Sequence, residues 1–459
     1  MKARPKLTVA VPFPVHPPVG GGQQRVFGLY RHVAREFDVE LVTIAGSDAE
    51  LLDAEIAPGL REIRIPKSAA QQAAETRLEQ EVGGVPIGDI GIPLFRAHTP
   101  EYTRRLTRSI ATADVVIASH PYALAAVGMT VGRHPMVYEA HNVEYLLKKA
   151  VLAKTGAVGA DLAEAVRALE AEACQISRLI WCCSESDRDD LCRLYGVDSS
   201  RLAIVPNGVD TGAIGFTPRA TKAQLKAEFG LAAQRIALFV GSWHPPNLEA
   251  AEVVFEIARA TPDVNFLLAG SQCRPLSDRP RPANVGLIGV VDDETLAALL
   301  ALADVALNPM LGGSGTNLKL ATYLAAGLPV ITTPVGARGY ELVDGTNALI
   351  CAPGDFPDAV RRVVGDEALA GDLARHGRRL VVERYDWRAI ASGAVSTVRS
   401  VLGLPERRDA SDPFLDSVSS ALAEIGAAGD TRLARQVAVA VVELGLDGAS
   451  LPAVHRGLR

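Results

Sequence analysis

Several features that would mark other classes of protein are missing from this 459-residue chain. No dense run of lysine and arginine occurs and the net charge is −6, so the electrostatic footprint of a nucleic-acid or anionic-membrane partner is absent. The apolar runs have the length of single strands, far short of the roughly 20 residues that span a bilayer. Residues 7–11 are too short for the core of a signal peptide. We therefore expect a cytoplasmic protein without a membrane span.

Cysteine and lysine are also scarce. The six cysteines are scattered and form no metal-type CxxC pair, which favours reduced thiols in the core. Only nine lysines occur beside 38 arginines, and Lys319 is the only lysine after Lys226. A chain that prefers arginine has therefore placed a compact ammonium at residue 319.

Short β-branched runs alternate with helical patterns along most of the chain. The runs are continuously apolar, a pattern typical of parallel strands that are buried on both faces. A turn-rich segment at 206–218 divides them into two sets. This organisation predicts an α/β protein with two Rossmann-like, doubly wound parallel-sheet domains that face a central cleft. The predicted strands are 7–11, 39–44, 60–65, 114–118, 136–140, 179–183, 202–205, 236–241, 264–269, 285–289, 304–308, 329–333 and 347–350.

Four segments describe the predicted domain organisation. The two domains are placed at residues 1–210 and 211–390, a closing helix at 391–404, and a helical C-terminal appendix at 405–459. The appendix could serve a protein partner or a homo-oligomer. An insertion at 67–99 carries no recognisable chemical motif.

A glycine-rich stretch at 312–315 stands between the predicted strand 304–308 and an apolar helix. Glycines let backbone amides approach a ligand closely, and the first amides of a helix have no intrahelical partner. Such a helix start binds an anion without a metal. Lys319 lies about one turn into the helix, where its ammonium could reach the same anion. The alternative is a capped helix beside a solvated lysine.

Five motifs, together with their order, carry a resemblance to a known family. They occupy residues 17–25, 139–144, 205–210, 239–243 and 307–333. In these motifs the chain resembles the retaining GT-B glycosyltransferases of family 4, also called group 1 glycosyltransferases, over roughly residues 7–403. The resemblance implies a GT-B fold and transfer of a sugar, with retention, from a nucleoside-diphosphate donor to an acceptor hydroxyl. It implies no cofactor and no metal. It also implies an acceptor domain at 1–210 and a donor domain at 211–390.

The resemblance also implies roles for individual residues. His141 and Lys319 would be catalytic, and His120, Glu139 and Arg25 would lie on the acceptor side. A neutral His141 could hydrogen-bond a sugar hydroxyl without acting as a base, since the leaving phosphate is thought to accept the proton in retaining enzymes of this fold. The alternative for His141 is a purely structural histidine. The alternative for Gly21 and Gly22 is a tight strand–helix turn without a ligand. Donor and phosphate binding would fall to Gly21, Gly22, Gly241, Gly313, Ser314, Gly315, Thr316, Lys319 and Thr322.

Two carboxylates that many family members carry are absent. Ser314 and Thr322 stand in their places, and Thr322 offers one hydroxyl where a carboxylate could accept from two ribose hydroxyls. Residues 241–247 also lack the arginine and lysine that many members have there. We expect weaker donor binding or an altered donor. A non-catalytic GT-B subunit that binds or activates a partner glycosyltransferase is the alternative function. The diphosphate would be neutralised by Lys319, the amides near Gly315 and Thr316, and Arg25 or Arg338.

Asp187 and Asp189 form the DxD pattern with which metal-dependent glycosyltransferases bind a divalent ion. Ser184 precedes Asp187 by three residues, as the cap of a helix does, and acids in a first turn favour the helix dipole. We interpret the pattern as a helix start and predict no metal site. An epimerase of the same architecture would need acid and base carboxylates in the cleft, and no clear pair is present.

Overall fold

The computed structural model describes residues 4–127, 134–313 and 315–403. The predicted appendix at 405–459 and Ser314, a predicted phosphate ligand, lie outside the described residues. The strands of the described part form two sheets, of eight and six strands. The two-sheet α/β organisation predicted from the sequence is therefore confirmed.

The first sheet has the strand order β3-β4-β2-β1-β5-β6-β7-β8. Its neighbours pair in parallel, apart from the antiparallel pair β3 and β4. Strands β2 to β4 are added on one side of β1 and strands β5 to β8 on the other, so the topological switch point lies between β1 and β5. The strands are β1 Lys6–Val11, β2 Asp38–Ala45, β3 Leu52–Ala57, β4 Leu60–Pro66, β5 Val115–Ser119, β6 Met136–Glu139, β7 Leu179–Cys182 and β8 Leu202–Ile204.

The second sheet is entirely parallel in its recorded pairs and has the order β11-β10-β9-β12-β13-β14. This is the doubly wound order in which the first strand lies beside the fourth, and its switch point lies between β9 and β12. The strands are β9 Ile236–Val240, β10 Asn265–Ala269, β11 Val285–Gly289, β12 Val305–Asn308, β13 Val330–Thr332 and β14 Leu349–Ile350.

All thirteen predicted strands are present, and their ends differ from the prediction by two residues at most. Their continuous apolar character has a simple cause: alternate residues of one strand enter two cores. In β5, Val115 and Ile117 join one apolar cluster, whereas Val116 and Ala118 join another on the opposite face. Burial on both faces excludes the polar alternation of a half-exposed strand.

Helices cover both sheets, and the last one returns to the first half. None of the helices that the structure describes is both long enough and apolar enough to cross a membrane. The helices are α1 Gly21–Val33, α2 Ala69–Glu81, α3 Gly88–Phe95, α4 Pro100–Ile110, α5 Leu124–Val127, α6 Glu144–Val151, α7 Gly156–Ile176, α8 Glu185–Tyr195, α9 Arg219–Glu228, α10 Pro245–Ala260, α11 Cys273–Leu276, α12 Asp293–Leu302, α13 Leu318–Ala325, α14 Phe356–Gly365, α15 Glu367–Leu380 and α16 Trp387–Val401.

Helix α16 begins at Trp387, ahead of the closing helix predicted at 391–404. Its apolar face joins the core formed by β1 and α1. Gly28 of α1 makes this packing possible, because a Cβ at that position would lie 2.4 Å from the indole nitrogen of Trp387. The carboxylate of Asp386 caps the helix and also accepts from the backbone N–H of Thr211 at 3.1 Å, so the chain segment between the two sheets is bonded to the start of α16.

Candidate active site

The starts of α1 and α13 adjoin one another at the carboxyl edges of the two sheets. Gly21 is the first residue of α1 and Leu318 the first of α13. A Cβ at Gly21 would lie only 3.0 Å from Leu318 Cδ1. Each helix start has amides without an intrahelical partner and the positive end of a helix dipole. Two such ends at the switch points of two doubly wound sheets create an environment suited to an anion.

Lys319 brings a positive charge to this junction. Its ammonium donates to Asn247 Oδ1 at 2.5 Å and lies 4.5 Å from the centroid of the Phe239 ring. Burial lowers the pKa of Lys319 to about 7. An ammonium bonded to a neutral amide is poorly compensated for its loss of water, and a bound anion would supply the missing compensation.

Two glycines of the loop before α13 have backbone angles that favour glycine. Gly313 has φ 117° and Gly315 has φ 67°, a region that side chains with a Cβ rarely adopt. The Arg338 guanidinium donates to the carbonyl of Gly313. Arg338, one of the cations named for the diphosphate, is therefore bonded to the predicted phosphate loop. Thr322 lies one turn beyond Leu318, with its hydroxyl 3.5 Å from that residue's carbonyl oxygen.

Gly22 and Gly241, both predicted to bind the donor, have packing reasons of their own. A Cβ at Gly22 would approach the Phe13 ring to 2.9 Å, and one at Gly241 would lie 1.7 Å from Gln272 Oε1. Both positions thus require glycine for close packing whether or not a ligand is bound. Their donor-binding role remains a prediction.

His120 and His141 lie together at the ends of β5 and β6. Their ring centroids are 4.0 Å apart. The Nε2 atom of His141 is 3.0 Å from Ser119 Oγ and 3.4 Å from Glu139 Oε1. Burial and the neighbouring His120 lower the pKa of His141 to about 3, against the opposing effect of Glu139. His141 is therefore neutral at pH 7, the form expected for a hydrogen bond to a sugar hydroxyl.

His120 has an unusual backbone. Its φ of 67° and ψ of 161° lie in a region that is almost exclusive to glycine, and such strain clusters at functional sites. Its ring packs edge-on to Phe13, with centroids 5.5 Å apart. The buried Nδ1 atom of His120 has no hydrogen-bond partner among the described residues. Strain and a free ring nitrogen both fit a residue that meets a substrate.

Glu139 and Arg25, predicted on the acceptor side, lie behind His141 and are almost inaccessible to solvent. Arg25 Nε donates to Glu139 Oε1 at 3.0 Å, and Tyr30 Oη donates to Glu139 Oε2 at 2.8 Å. Burial would raise the pKa of Glu139, but His141 and Arg25 lower it to about 2. The pair therefore supports the histidine from beneath, and the structure gives it no exposed surface for an acceptor.

Several residues of the site were given no role from the sequence. Asn247 accepts from Lys319, and Asn207 donates to Thr316 Oγ1 at 2.6 Å. Glu144 accepts from Tyr122 Oη at 2.6 Å and lies 3.8 Å from the ring of His120. Asn207 and Glu144 stand inside motifs that the sequence had marked, so their motif membership was a usable signal. Asn247 ends the segment 241–247, which the sequence marked only for its lack of an arginine and a lysine.

The helix-start interpretation of Asp187 agrees with the structure. Ser184 Oγ accepts from the backbone N–H of Asp187 at 3.1 Å and donates to its carboxylate at 2.7 Å. Within residues 4–127, 134–313 and 315–403, no three His, Cys, Asp or Glu side chains are grouped to hold a metal ion. All six cysteines are free, and four of them are buried.

Two family models cover most of this architecture. Residues 19–213 match the model described as Glycosyltransferase Family 4, and residues 234–366 match Glycosyl transferases group 1. The chain belongs to the group 1 glycosyltransferases. The two matched regions correspond to the two sheets, and the resemblance seen in the motifs is thereby confirmed.

Relatives with assigned names are 26–27% identical to this chain over the aligned residues. A glycogen synthase from Mycobacterium tuberculosis is 26% identical over 60% of this chain and 66% of its own length. A phosphatidyl-myo-inositol mannosyltransferase from Mycolicibacterium smegmatis is 27% identical, over 47% of this chain and 56% of its own. A D-inositol 3-phosphate glycosyltransferase from Xylanimonas cellulosilytica is 26% identical over 80% and 88%. The chain thus spans less than two thirds of the first two relatives.

Solved structures share the fold. Sucrose-phosphate synthase from Thermosynechococcus elongatus superimposes with a TM-score of 0.66 at 17% identity, over 87% of this chain and all of that one. The Anabaena protein HepE, solved in complex with UDP-glucose, gives a TM-score of 0.59 at 15% identity, over 86% and 99%. The two halves of this glycosyltransferase therefore have the GT-B fold.

Proposed function

We propose that this glycosyltransferase moves a sugar from a nucleoside-diphosphate donor to an acceptor hydroxyl with retention and without a metal ion. The observation that carries the proposal is the junction of two helix starts beside Lys319. Free amides, two helix dipoles and one ammonium can stabilise the charge that develops on a leaving diphosphate. The solved complex of HepE with UDP-glucose makes UDP-glucose the first donor to test.

The proposed roles follow from the positions of the residues. The amides near Gly315 and Thr316, together with Lys319, bind the diphosphate on the second half. His141, as a neutral imidazole, hydrogen-bonds the transferred sugar, and His120 lies towards the acceptor. No protein base is needed if the leaving phosphate accepts the proton of the acceptor hydroxyl. The meeting of the two halves excludes water, which would otherwise hydrolyse the donor.

Metal independence is part of the same proposal. The carboxylate of Asp187 accepts a hydrogen bond from Ser184 at the start of α8. This capping contact explains the presence of the acid without a bound cation. An ammonium and the free amides of a helix start can neutralise phosphate charge without a metal ion. Retention is proposed from the family resemblance and is tested by the anomeric configuration of the product.

A second candidate function keeps the fold without the chemistry. Thr322 stands where many members have an acid, so a non-catalytic subunit that binds a partner glycosyltransferase remains the alternative. The retained Lys319 and His141 favour the enzyme, because a poorly compensated ammonium and a neutral imidazole are the groups that the proposed transfer uses.

Titration calorimetry with UDP, GDP and dTDP separates the two candidates. We expect binding of at least one nucleotide, followed by turnover of the matching nucleotide sugar, measured as released nucleoside diphosphate. Lys149→Ala is the matched control for Lys319→Ala, because Lys149 is an exposed lysine on α6. No binding of any of the three nucleotides at millimolar concentration would favour the non-catalytic subunit.

A further inference from the structure

The glycine loop of the second half is seated on two asparagine side chains that precede it in the chain. Asn207 Nδ2 donates to Thr316 Oγ1 at 2.6 Å. Gly315 lies so close to Asn142 that a Cβ at position 315 would be 2.4 Å from Asn142 Oδ1. Asn142 follows β6, and Asn207 follows β8, the last strand of the first sheet. Both contacts therefore depend on how the loop of the second half meets the first sheet.

Asn207 is also the first member of a buried chain of contacts. Its Oδ1 accepts from Arg25 Nη1 at 3.0 Å, and Arg25 Nε donates to Glu139 Oε1 at 3.0 Å. The same Glu139 oxygen is 3.4 Å from His141 Nε2. Exposed fractions of 8% for Asn207, 1% for Arg25 and 0% for Glu139 keep competing water away. An unbroken relay thus joins Thr316 in the predicted phosphate loop to His141.

We propose that Asn207 is a positioning residue that couples the seating of the glycine loop to the orientation of His141. The proposal rests on the transferase function proposed above, in which the loop binds the donor phosphates and His141 meets the sugar. In this arrangement Asn207 contacts the loop through Thr316 but contacts neither the donor phosphates nor the sugar. It makes the productive orientation of His141 depend on a seated donor loop, and so limits donor loss to water.

The chemistry of the amide explains why asparagine suits this position. Its nitrogen donates to Thr316 while its oxygen accepts from Arg25, and among short side chains only the amide of asparagine carries the donor and the acceptor on two separate atoms. Without the contact to Thr316 the amide is free to turn, and Arg25 then loses one of its partners. Arg25 Nη1 also donates to the carbonyl of Pro206 at 3.1 Å, whereas its Nη2 atom has no partner among the described residues.

Two substitutions at position 207 separate the relay from packing. Asn207→Leu keeps the approximate volume and removes both hydrogen bonds. Asn207→Asp keeps the contact to Arg25, and the Thr316 hydroxyl can rotate to donate to the new carboxylate. We expect Asn207→Leu to lower kcat for the donor by about tenfold with little change in its KM, and Asn207→Asp to recover most of that loss.

A double-mutant cycle tests whether Asn207 acts through the loop. UDP-glucose, GDP-mannose and dTDP-glucose are screened for released nucleoside diphosphate, and the donor that is turned over fastest is used. Thr316→Val removes the hydroxyl, and we expect it to lower kcat as Asn207→Leu does. The double variant Asn207→Leu/Thr316→Val should be no slower than the single variants, because one contact is removed in each case. The proposal would be overturned if the kcat of the double variant fell by the product of the two single losses, or if the single variants changed only KM.

A second readout needs no substrate. The nine histidines are labelled with carbon-13 in the ring, and the His141 signal is assigned by its loss in His141→Gln. Asn207→Leu and Thr316→Val should both shift this signal. Asn284→Leu is the matched control, since its amide donates to the carbonyls of Ala258, Thr261 and Val264 in the second half and makes no contact in the relay.

The two readouts keep the proposals apart. A His141 signal that is unchanged in both relay variants overturns the coupling, whatever the activity. If the wild-type protein binds no nucleotide but the signal shifts in both variants and not in Asn284→Leu, the transferase function fails while the coupling holds. A shift in Asn284→Leu as large as in the relay variants would show a general loosening of the fold and would also overturn the coupling.

Discussion

The two helix starts that meet in the site differ in how their charges are satisfied. Behind α1 the charges are paired: Arg25 bonds to Glu139 in a nearly water-free environment. At α13 the ammonium of Lys319 bonds to the neutral amide of Asn247, and its pKa falls to about 7 because it is buried. The Arg25–Glu139 pair of the first half is therefore charge-compensated without a ligand, whereas Lys319 of the second half gains from an added anion.

This difference matters for function because each half contributes what the other lacks. The buried Arg25–Glu139 pair of the first half can orient His141 while Asn207 and the glycine loop of the second half are in contact. The incompletely compensated ammonium of the second half can stabilise the negative charge that develops on the diphosphate as it leaves. Variants that disturb the first half should affect stability first, and variants in the second half should affect nucleotide binding and turnover.

The largest effect is expected from breaking the paired side. Arg25→Met leaves Glu139 buried without its cation, so the free energy of unfolding should fall by about 3–5 kcal/mol. Arg361→Met is the matched control, because the Arg361–Asp358 pair is exposed and such pairs contribute about 0–1 kcal/mol. Urea denaturation of both variants provides the measurement. Similar losses in the two would contradict the contrast between a buried scaffold and a surface pair.

The unpaired side is tested by Lys319→Ala. We expect kcat/KM to fall by about 100-fold or more, equivalent to ~3–4 kcal/mol, because an oriented cation at a developing anion is lost. The unfolding midpoint should change little, since the ammonium is poorly compensated in the free protein. Lys149→Ala should leave both quantities unchanged. Near-wild-type kinetics in Lys319→Ala would remove the phosphate assignment.

The missing carboxylate on α13 gives a gain-of-affinity test. Thr322→Asp or Thr322→Glu should tighten UDP binding, because a carboxylate accepts from both ribose hydroxyls and each charge-assisted bond contributes roughly 1.5–3 kcal/mol. For dTDP the 2′-hydroxyl is missing, so the gain should shrink. Calorimetric titration of UDP and dTDP on wild type and variant gives four affinities. Four equal values would show that Thr322 does not meet the ribose.

Much of this architecture could be predicted from the sequence because local apolar patterns determine it. Strands buried on two faces are recognisable from continuous runs, and the glycine loop from its position between β12 and α13. Strand β3 was missed because its residues alternate: Asp53 and Glu55 are exposed and their neighbours are not. A charged edge strand that pairs antiparallel lacks the pattern of a parallel core strand. The sheet is therefore mixed, and not wholly parallel as predicted.

The relations between distant residues could not be predicted in the same way. Nothing local shows that Asn207 bonds to Thr316, or that Gly241 is required by the side chain of Gln272. Likewise, Glu139 looked like a cleft residue because it stands two positions before His141 in the chain, yet its carboxylate lies fully buried behind the His141 ring. Its burial follows from the cation of Arg25 on α1, which only the assembled fold brings to it.

The charge state of Lys319 predicts a pH dependence of nucleotide binding. A diphosphate raises the pKa of Lys319 above its free value of about 7, so the favourable interaction is complete below pH 7 and is lost as pH rises towards the bound pKa. The affinity for UDP should fall by up to about tenfold per pH unit above pH 7, with proton uptake on binding. The groups in contact with the ammonium, Asn247, Met310 and Phe239, do not titrate.

Calorimetry in two buffers of different ionisation enthalpy measures that proton uptake directly. Lys319→Arg is the control, because a guanidinium stays charged throughout the range and its affinity should be nearly independent of pH. A wild-type affinity that is flat from pH 7 to 9 would show that the ammonium is already charged before the nucleotide binds.

The smallest expected effect is that of metal removal, and it distinguishes the two interpretations of Asp187. Turnover in excess EDTA should equal turnover in Mg²⁺, because the phosphate charge is met by Lys319 and by helix amides. A metal that stabilised the leaving diphosphate would contribute several kcal/mol, so its removal would be unmistakable. Ser184→Ala should instead destabilise the fold by about 0.5–2 kcal/mol, the contribution of an N-cap, without making the enzyme sensitive to EDTA. Activity that disappears in EDTA and returns with Mg²⁺ or Mn²⁺ would assign Asp187 and Asp189 to a cation, and the donor would then be bound through a metal on the first half as well as through Lys319 of the second half.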